Sequence, residues 1–129
     1  MVGDKISNLI IKMKNASMSG KPTVEVVLSN LNLEILKLLK KEKFITEFDA
    51  DKKKRTITVT LAYTADGDSA ITDVKRVSKL SKRIYRGSQY INPVLNGLGI
   101  AVVSTPLGIM AGRTAREKKV GGEVMFEIW

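Results

Sequence analysis

The sequence predicts an α+β protein built as two small lobes. Three observations carry that expectation. Apolar residues recur at helical spacing twice in the first third of the chain, and Ile57, Val59 and Leu61 then alternate with threonines in the period of two that a half-buried strand requires. After residue 70 the pattern turns to short strands with a single short helix. Between these regions lies Thr64-Ala65-Asp66-Gly67-Asp68-Ser69, a polar linker that places the lobe boundary between residues 64 and 65. The lobes are then 1–64, reading helix, strand, helix, strand, strand, and 65–129, mostly β. A length of 129 residues suits this organisation.

The first helix spans residues 4–16. Ile6, Leu9, Ile10 and Met13 fall at i, i+3, i+4 and i+7 and form one apolar stripe, while Lys5, Lys12 and Asn15 lie off it. Asp4 can cap its start. Residues 23–28 are rich in β-branched side chains and read as a strand. Ser29 is an N-cap for a second helix over 30–43, with Leu31, Ile35, Leu38 and Leu39 as its apolar face and lysines crowding its last turns, where they suit the helix dipole. Residues 44–49 and 55–63 are two strands joined at a tip, Asp51-Lys52-Lys53-Lys54.

The second lobe opens with a strand over 71–77. Residues 83–86 read as a strand end, and the apolar run 100–103 as a buried strand. Thr105-Pro106-Leu107-Gly108 carries Pro and Gly at the second and fourth positions of a type I turn. A short helix follows over 111–119, stopped by Gly121-Gly122, and residues 123–129 alternate as a terminal strand. Val94, Leu95 and Leu98 are expected in the core with residues 100–103.

Composition narrows the function. Lys and Arg number 22 against 13 acids, a net charge of +9, which favours a polyanionic partner. With no Cys and no His, disulfides, thiolate or imidazole metal sites, and mechanisms using a His base or Cys nucleophile are excluded. No apolar run approaches the ~20 residues of a membrane span, and no secretory signal precedes the first helix, so the expected location is the cytoplasm.

Charge is unevenly placed. Residues 74–86 contain Lys75, Arg76, Lys79, Lys82, Arg83 and Arg86 and no acid; residues 87–112 contain no charge at all. Tyr85 sits between Arg83 and Arg86, and such a ring with guanidinium groups can stack on unpaired bases, or pack on the core edge with its hydroxyl outward. The hydroxyls of Ser104 and Thr105 can read bases or a 2′-OH, or merely satisfy the turn. Gly121 and Gly122 either cap the helix or let backbone approach a ligand closely. Glu123 can accept from a base amino group or order neighbouring arginines. Arg113 and Arg116, three apart, can meet phosphates or pair with Glu117. Lys12, Lys14 and Asn15 either contact phosphate or form a solvated face.

Several motifs occur in one order along nearly the whole chain: D-x-I-x-x-L at residues 4–9, K-N-A at Lys14-Asn15-Ala16, R-I-Y at Arg83 to Tyr85, G-L-G-I-A-V-V-S-T at Gly97 to Thr105, then S-T-x-x-G-I-M, R-x-A-R and G-G-E-V. In these motifs the chain resembles the eighth small-subunit ribosomal protein family of bacterial type. That resemblance implies a non-enzymatic structural constituent of the small ribosomal subunit that binds the central domain of small-subunit ribosomal RNA and nucleates assembly there. It also implies neighbouring ribosomal proteins as partners, and for some members repression of their own messenger RNA. No cofactor, metal, membrane or small-molecule substrate is implied. The implied RNA-binding residues are Tyr85, Ser104, Thr105, Pro106, Gly121, Gly122 and Glu123; charge adds Arg83, Arg86, Arg113, Arg116, Lys12 and Lys14, with Asn15. The family usually carries a small polar residue after Ser-Thr, whereas Pro106 offers neither hydroxyl nor N–H.

Two other functions find little support in the residues. An RNA-processing enzyme needs a general acid and base or clustered carboxylates holding metal, and the tight acidic pair Asp66 and Asp68 sits in the linker. A free DNA-binding regulator needs a recognition helix, and the second helix is basic but leucine-dense.

Overall fold

The structure is a computed structural model, and it describes residues 5–79 and 81–129. Two units are resolved: one ends at Thr72 and the other runs from Asp73 to Trp129.

In the first unit, α1 (Lys5–Met18) is followed by β1 (Thr23–Val27), α2 (Asn30–Lys41), β2 (Ile45–Asp51) and β3 (Thr56–Leu61). The three strands form an antiparallel sheet in the order β1-β3-β2. Ile57, Val59 and Leu61 of the central strand are buried while the threonines between them are half-buried, as a period of two demands. α1 contributes Leu9, Ile10 and Met13, and α2 contributes Ile35, Leu36, Leu38 and Leu39. Each such side chain stabilises the fold by about 1.5–3 kcal/mol. Leu31 is only half-buried, and the polar Asn32 is buried in its stead. The expected cap Asp4 lies outside the described residues.

Ser29 caps α2: its hydroxyl accepts from Asn32 N at 3.1 Å. Ser29→Ala is expected to cost about 1 kcal/mol, read as a lowered urea midpoint with an unchanged slope. At the β2–β3 hairpin the Asp51 carboxylate accepts from Lys53 N and Lys54 N, at 3.0 and 3.2 Å, which fixes the lysine-rich tip.

The boundary does not fall between residues 64 and 65. The polar stretch expected as a linker is a closed turn: Thr64 N donates to Asp68 O at 2.7 Å, Gly67 N to Thr64 O at 2.9 Å, and Tyr63 bridges Ser69. Its polar residues serve each other rather than a flexible connection, so the segment stays with the first unit.

The second unit comprises β4 (Val74–Arg76), β5 (Tyr85–Arg86), β6 (Ile100–Thr105), β7 (Gly108–Ala111), α3 (Gly112–Glu117) and β8 (Gly122–Ile128). The sheet order is β4-β8-β6-β7, and β5 also pairs β8. β4 takes residues 126–128 of β8 and β5 takes 122–123, so both lie along one edge of that strand. One face of the sheet buries Val103, Met110 and Val124 with Ala115 of α3, and with Ile91 and Val94.

Four expectations are corrected. The strand expected over 71–77 shrinks to Val74–Arg76, which pairs residues 126–128 of β8; beyond it Val77 N and Ser78 N both turn to Met125 O, which ends the regular ladder. A strand absent from the sequence reading, β7, pairs with β6 through the turn. Helix α3 is not stopped by the glycines: Lys119 takes a left-handed φ of 57°, and Val120 N donates to Ala115 O at 3.0 Å, closing the C-terminus first. Leu95 and Leu98 are not core residues. They are 51% and 82% exposed, because Leu95 and Asn96 hold φ of 47° and 54° and reverse the chain there.

Candidate nucleic-acid interface

The sheet register assembles the candidate site. Tyr85 pairs Glu123, Glu123 pairs Ser104, and Ser104 pairs Ile109. Directly opposed residues share a face. Tyr85, Glu123 and Ser104 therefore stand side by side on the face opposite the one that buries Val103 and Val124. These residues are 19 or 38 apart in sequence, and only strand pairing makes them neighbours.

Each member has a definite state. The Tyr85 ring is 63% exposed and its hydroxyl has no partner among the described residues. The Arg83 guanidinium meets the Glu123 carboxylate at 3.3 Å. An ion pair this exposed adds little stability, but it fixes where the guanidinium points. Ser104 is half-buried and its hydroxyl is unpartnered among the described residues.

Thr105 differs from Ser104. Its hydroxyl donates to Gly108 O at 2.8 Å and accepts from Leu107 N at 3.1 Å, so it satisfies the turn from within. Pro106 and Leu107 form the exposed tip, and Gly108 takes a φ of 119°. With Thr105 opposite Gly108, the connection is a two-residue hairpin loop.

Gly121 and Gly122 are explained by their own chain. A Cβ on Gly122 would overlap the Ser104 carbonyl oxygen and lie 3.1 Å from Thr105 Cα; one on Gly121 would lie 2.6 Å from Arg86 O. The close approach considered in the sequence reading is thus to β5 and β6, and it brings the turn and the Tyr85 strand to the same end of β8.

The acid-free segment 74–86 runs along the outer edge of β8. Ser78, buried to 2%, staples the segment: its hydroxyl accepts from Ile84 N at 2.8 Å and donates to Ile84 O at 3.3 Å. Sequence reasoning missed Ser78; a lone serine among lysines carries no signal of burial. The staple presents Lys79 and Lys82, which bridge each other, together with Arg83.

Other expected residues go elsewhere. Strand alternation sends Arg86 to the opposite face from Tyr85, where it lines a pocket of about 140 Å³ with Tyr90, Asn92 and Glu127. Arg116 donates from Nη1 to Ile91 O at 2.7 Å and so ties α3 to the preceding loop rather than pairing with Glu117. Arg113 is exposed on the same short helix. Lys12 and Asn15 are exposed on α1 of the first unit, and Lys14 is half-buried on another side of that helix.

Among the described residues no three carboxylates gather as metal ligands, and no helix is long and apolar enough to cross a membrane. Fold and composition define a basic α+β protein whose candidate surface is a sheet end. Residues 4–129 match the family model described as Ribosomal protein S8, and the chain belongs to that family. Its members are structural components of the ribosome and not enzymes. The small ribosomal subunit protein uS8 of Acholeplasma laidlawii is 42% identical over 127 residues, covering 98% of this chain and 97% of its own. Those of Thermodesulfovibrio yellowstonii and Roseiflexus castenholzii are 38% and 42% identical, covering 100% and 99% of this chain and 100% and 98% of their own.

Proposed function

We propose that this protein is a constituent of the small subunit of the cytoplasmic ribosome, binds the central domain of small-subunit ribosomal RNA directly, and nucleates assembly there. One observation carries the RNA-binding reading: the register sets Tyr85, the Glu123-oriented Arg83 and the Ser104 hydroxyl, which has no partner among the described residues, in one row beside the charge-free turn. Cations along 74–86 supply salt-dependent attraction to phosphate, while the Tyr85 ring, the Ser104 hydroxyl and the charge-free turn read an irregular, unpaired part of the RNA. Gly121 and Gly122 let the backbones of β5 and β6 close on β8 and so hold Tyr85 and Ser104 at one end of that strand, and Thr105 and Pro106 hold the turn. Arg86, Arg113 and Arg116 add contacts elsewhere on the second unit, and Lys12, Lys14 and Asn15 add contacts from α1 of the first. Neighbouring ribosomal proteins complete its surroundings. A messenger RNA that imitates the ribosomal site would occupy the same row, which is the basis for repression of its own synthesis.

The test is filter binding to a central-domain RNA fragment across a salt series. Ser104→Ala is expected to weaken binding about tenfold, one hydrogen bond's ~1.4 kcal/mol, without changing the salt slope. Lys40→Ala, on α2, is expected to leave the preference for the fragment over unrelated RNA intact. Equal effects from the two substitutions would remove this division of labour. A footprint outside the central domain would remove the site.

A further inference from the structure

The first unit contains a pocket of its own. α1 turns Lys5, Asn8, Lys12 and Asn15 outward at i, i+3, i+7 and i+10, as one exposed stripe. Where that stripe meets β1 and the first turn of α2, Lys5, Leu9, Lys12, Val26, Val27 and Asn32 line a pocket of about 200 Å³.

Asn32 sets the chemistry of this pocket. It is 97% buried (3% exposed), and its Nδ2 donates to Val27 O at 2.8 Å. That bond fixes the amide's orientation and leaves Oδ1 as a buried acceptor with no donor among the described residues. A buried acceptor without a partner loses its hydration for nothing, so a donor carried by a ligand would be favoured at this oxygen. The ligand must therefore bring an N–H or O–H. It must have an apolar body for Leu9, Val26 and Val27, and negative charge for Lys5 and Lys12 at the rim. An inorganic anion lacks the apolar body, and an acyl chain lacks the donor. A nucleotide has all three.

We propose that this pocket receives one unpaired nucleobase of the bound RNA, its exocyclic amino group donating to Asn32 Oδ1 and its flanking phosphates lying against Lys5 and Lys12. This rests on the reading that the protein binds RNA. Oδ1 is closed off from solvent, so entry of the ring goes with a shift of Val27, the 57% exposed apolar side chain of the wall.

The experiment is an amide chemical-shift titration of the full-length protein with adenosine 5′-monophosphate and with purine riboside 5′-monophosphate, which has the same ring without the amino group. The adenosine nucleotide is expected to move the signals of Val26, Val27 and the Asn32 side chain, and the analogue to bind about tenfold more weakly. Equal affinities, or no movement at these residues with either nucleotide, overturn the proposal and leave the oxygen to an ordered water. Val27→Trp fills the pocket from an exposed position and is expected to abolish these shifts and to weaken the central-domain RNA fragment several-fold. If Val27→Trp binds the fragment like the unmodified protein while Tyr85→Ala does not, the pocket is discarded and RNA binding at the sheet end stands. If neither substitution matters, both readings fall.

Discussion

Replacing Gly122 by alanine is expected to unfold the second unit or to destabilise it by about 3 kcal/mol or more. The new methyl group would meet only backbone: the Ser104 carbonyl oxygen, its carbon at 2.9 Å and Thr105 Cα at 3.1 Å. A flexible side chain could swing away, but two paired strands cannot part at one residue without giving up the hydrogen bonds on either side. Trp129 is the only tryptophan, packs against the core of the second unit and reports its unfolding by fluorescence. Gly87→Ala is the control, because its Cβ would meet Tyr90 Cδ2 at an ordinary 3.5 Å. If both variants unfold at the same denaturant concentration, β8 and β6 do not approach as described, and the row of Tyr85, Glu123 and Ser104 loses its scaffold.

The second large effect is expected at Tyr85, this time on binding and not on stability. A ring that is 63% exposed on a two-residue edge strand contributes little to packing, so Tyr85→Ala should shift the unfolding midpoint by no more than an ordinary surface substitution, within about 0.5 kcal/mol. Stacking of one base on an aromatic ring is worth roughly 1–3 kcal/mol, so affinity for the central-domain RNA fragment should fall roughly ten- to a hundredfold. Tyr85→Phe keeps the ring and separates stacking from hydrogen bonding by the hydroxyl: near-normal affinity assigns the effect to the ring. Undiminished binding by Tyr85→Ala would mean that this face does not meet the RNA. The two substitutions complement each other, since Gly122→Ala acts through the fold and Tyr85→Ala through a fold left intact.

Much of the architecture was legible in advance because it depends on local pattern. Helical spacing in α1 and α2, the serine before α2, the alternation of β3 and the Pro–Gly turn are each set by residues within a few positions of one another. The errors share one origin. Leu95 and Leu98 look like core because they are leucines among apolar neighbours, and only the left-handed backbone at Leu95 and Asn96 turns them out. Gly121 and Gly122 look like a helix stop because they follow a helix, yet the chain had already turned at Lys119.

The sequence by itself determined the class of protein: α+β, basic, without His or Cys, and carrying the ordered motifs of its family. Tertiary structure alone decided which candidates stand together. It joined Tyr85, Glu123 and Ser104 through strand register, turned Arg86 to the other face, committed the Thr105 hydroxyl to its own turn, and buried Asn32 with one acceptor that no described residue answers. Periodicity and composition are properties of neighbours along the chain, whereas pairing across a sheet is settled by which backbones fit against each other, and that is known only once the chain has folded.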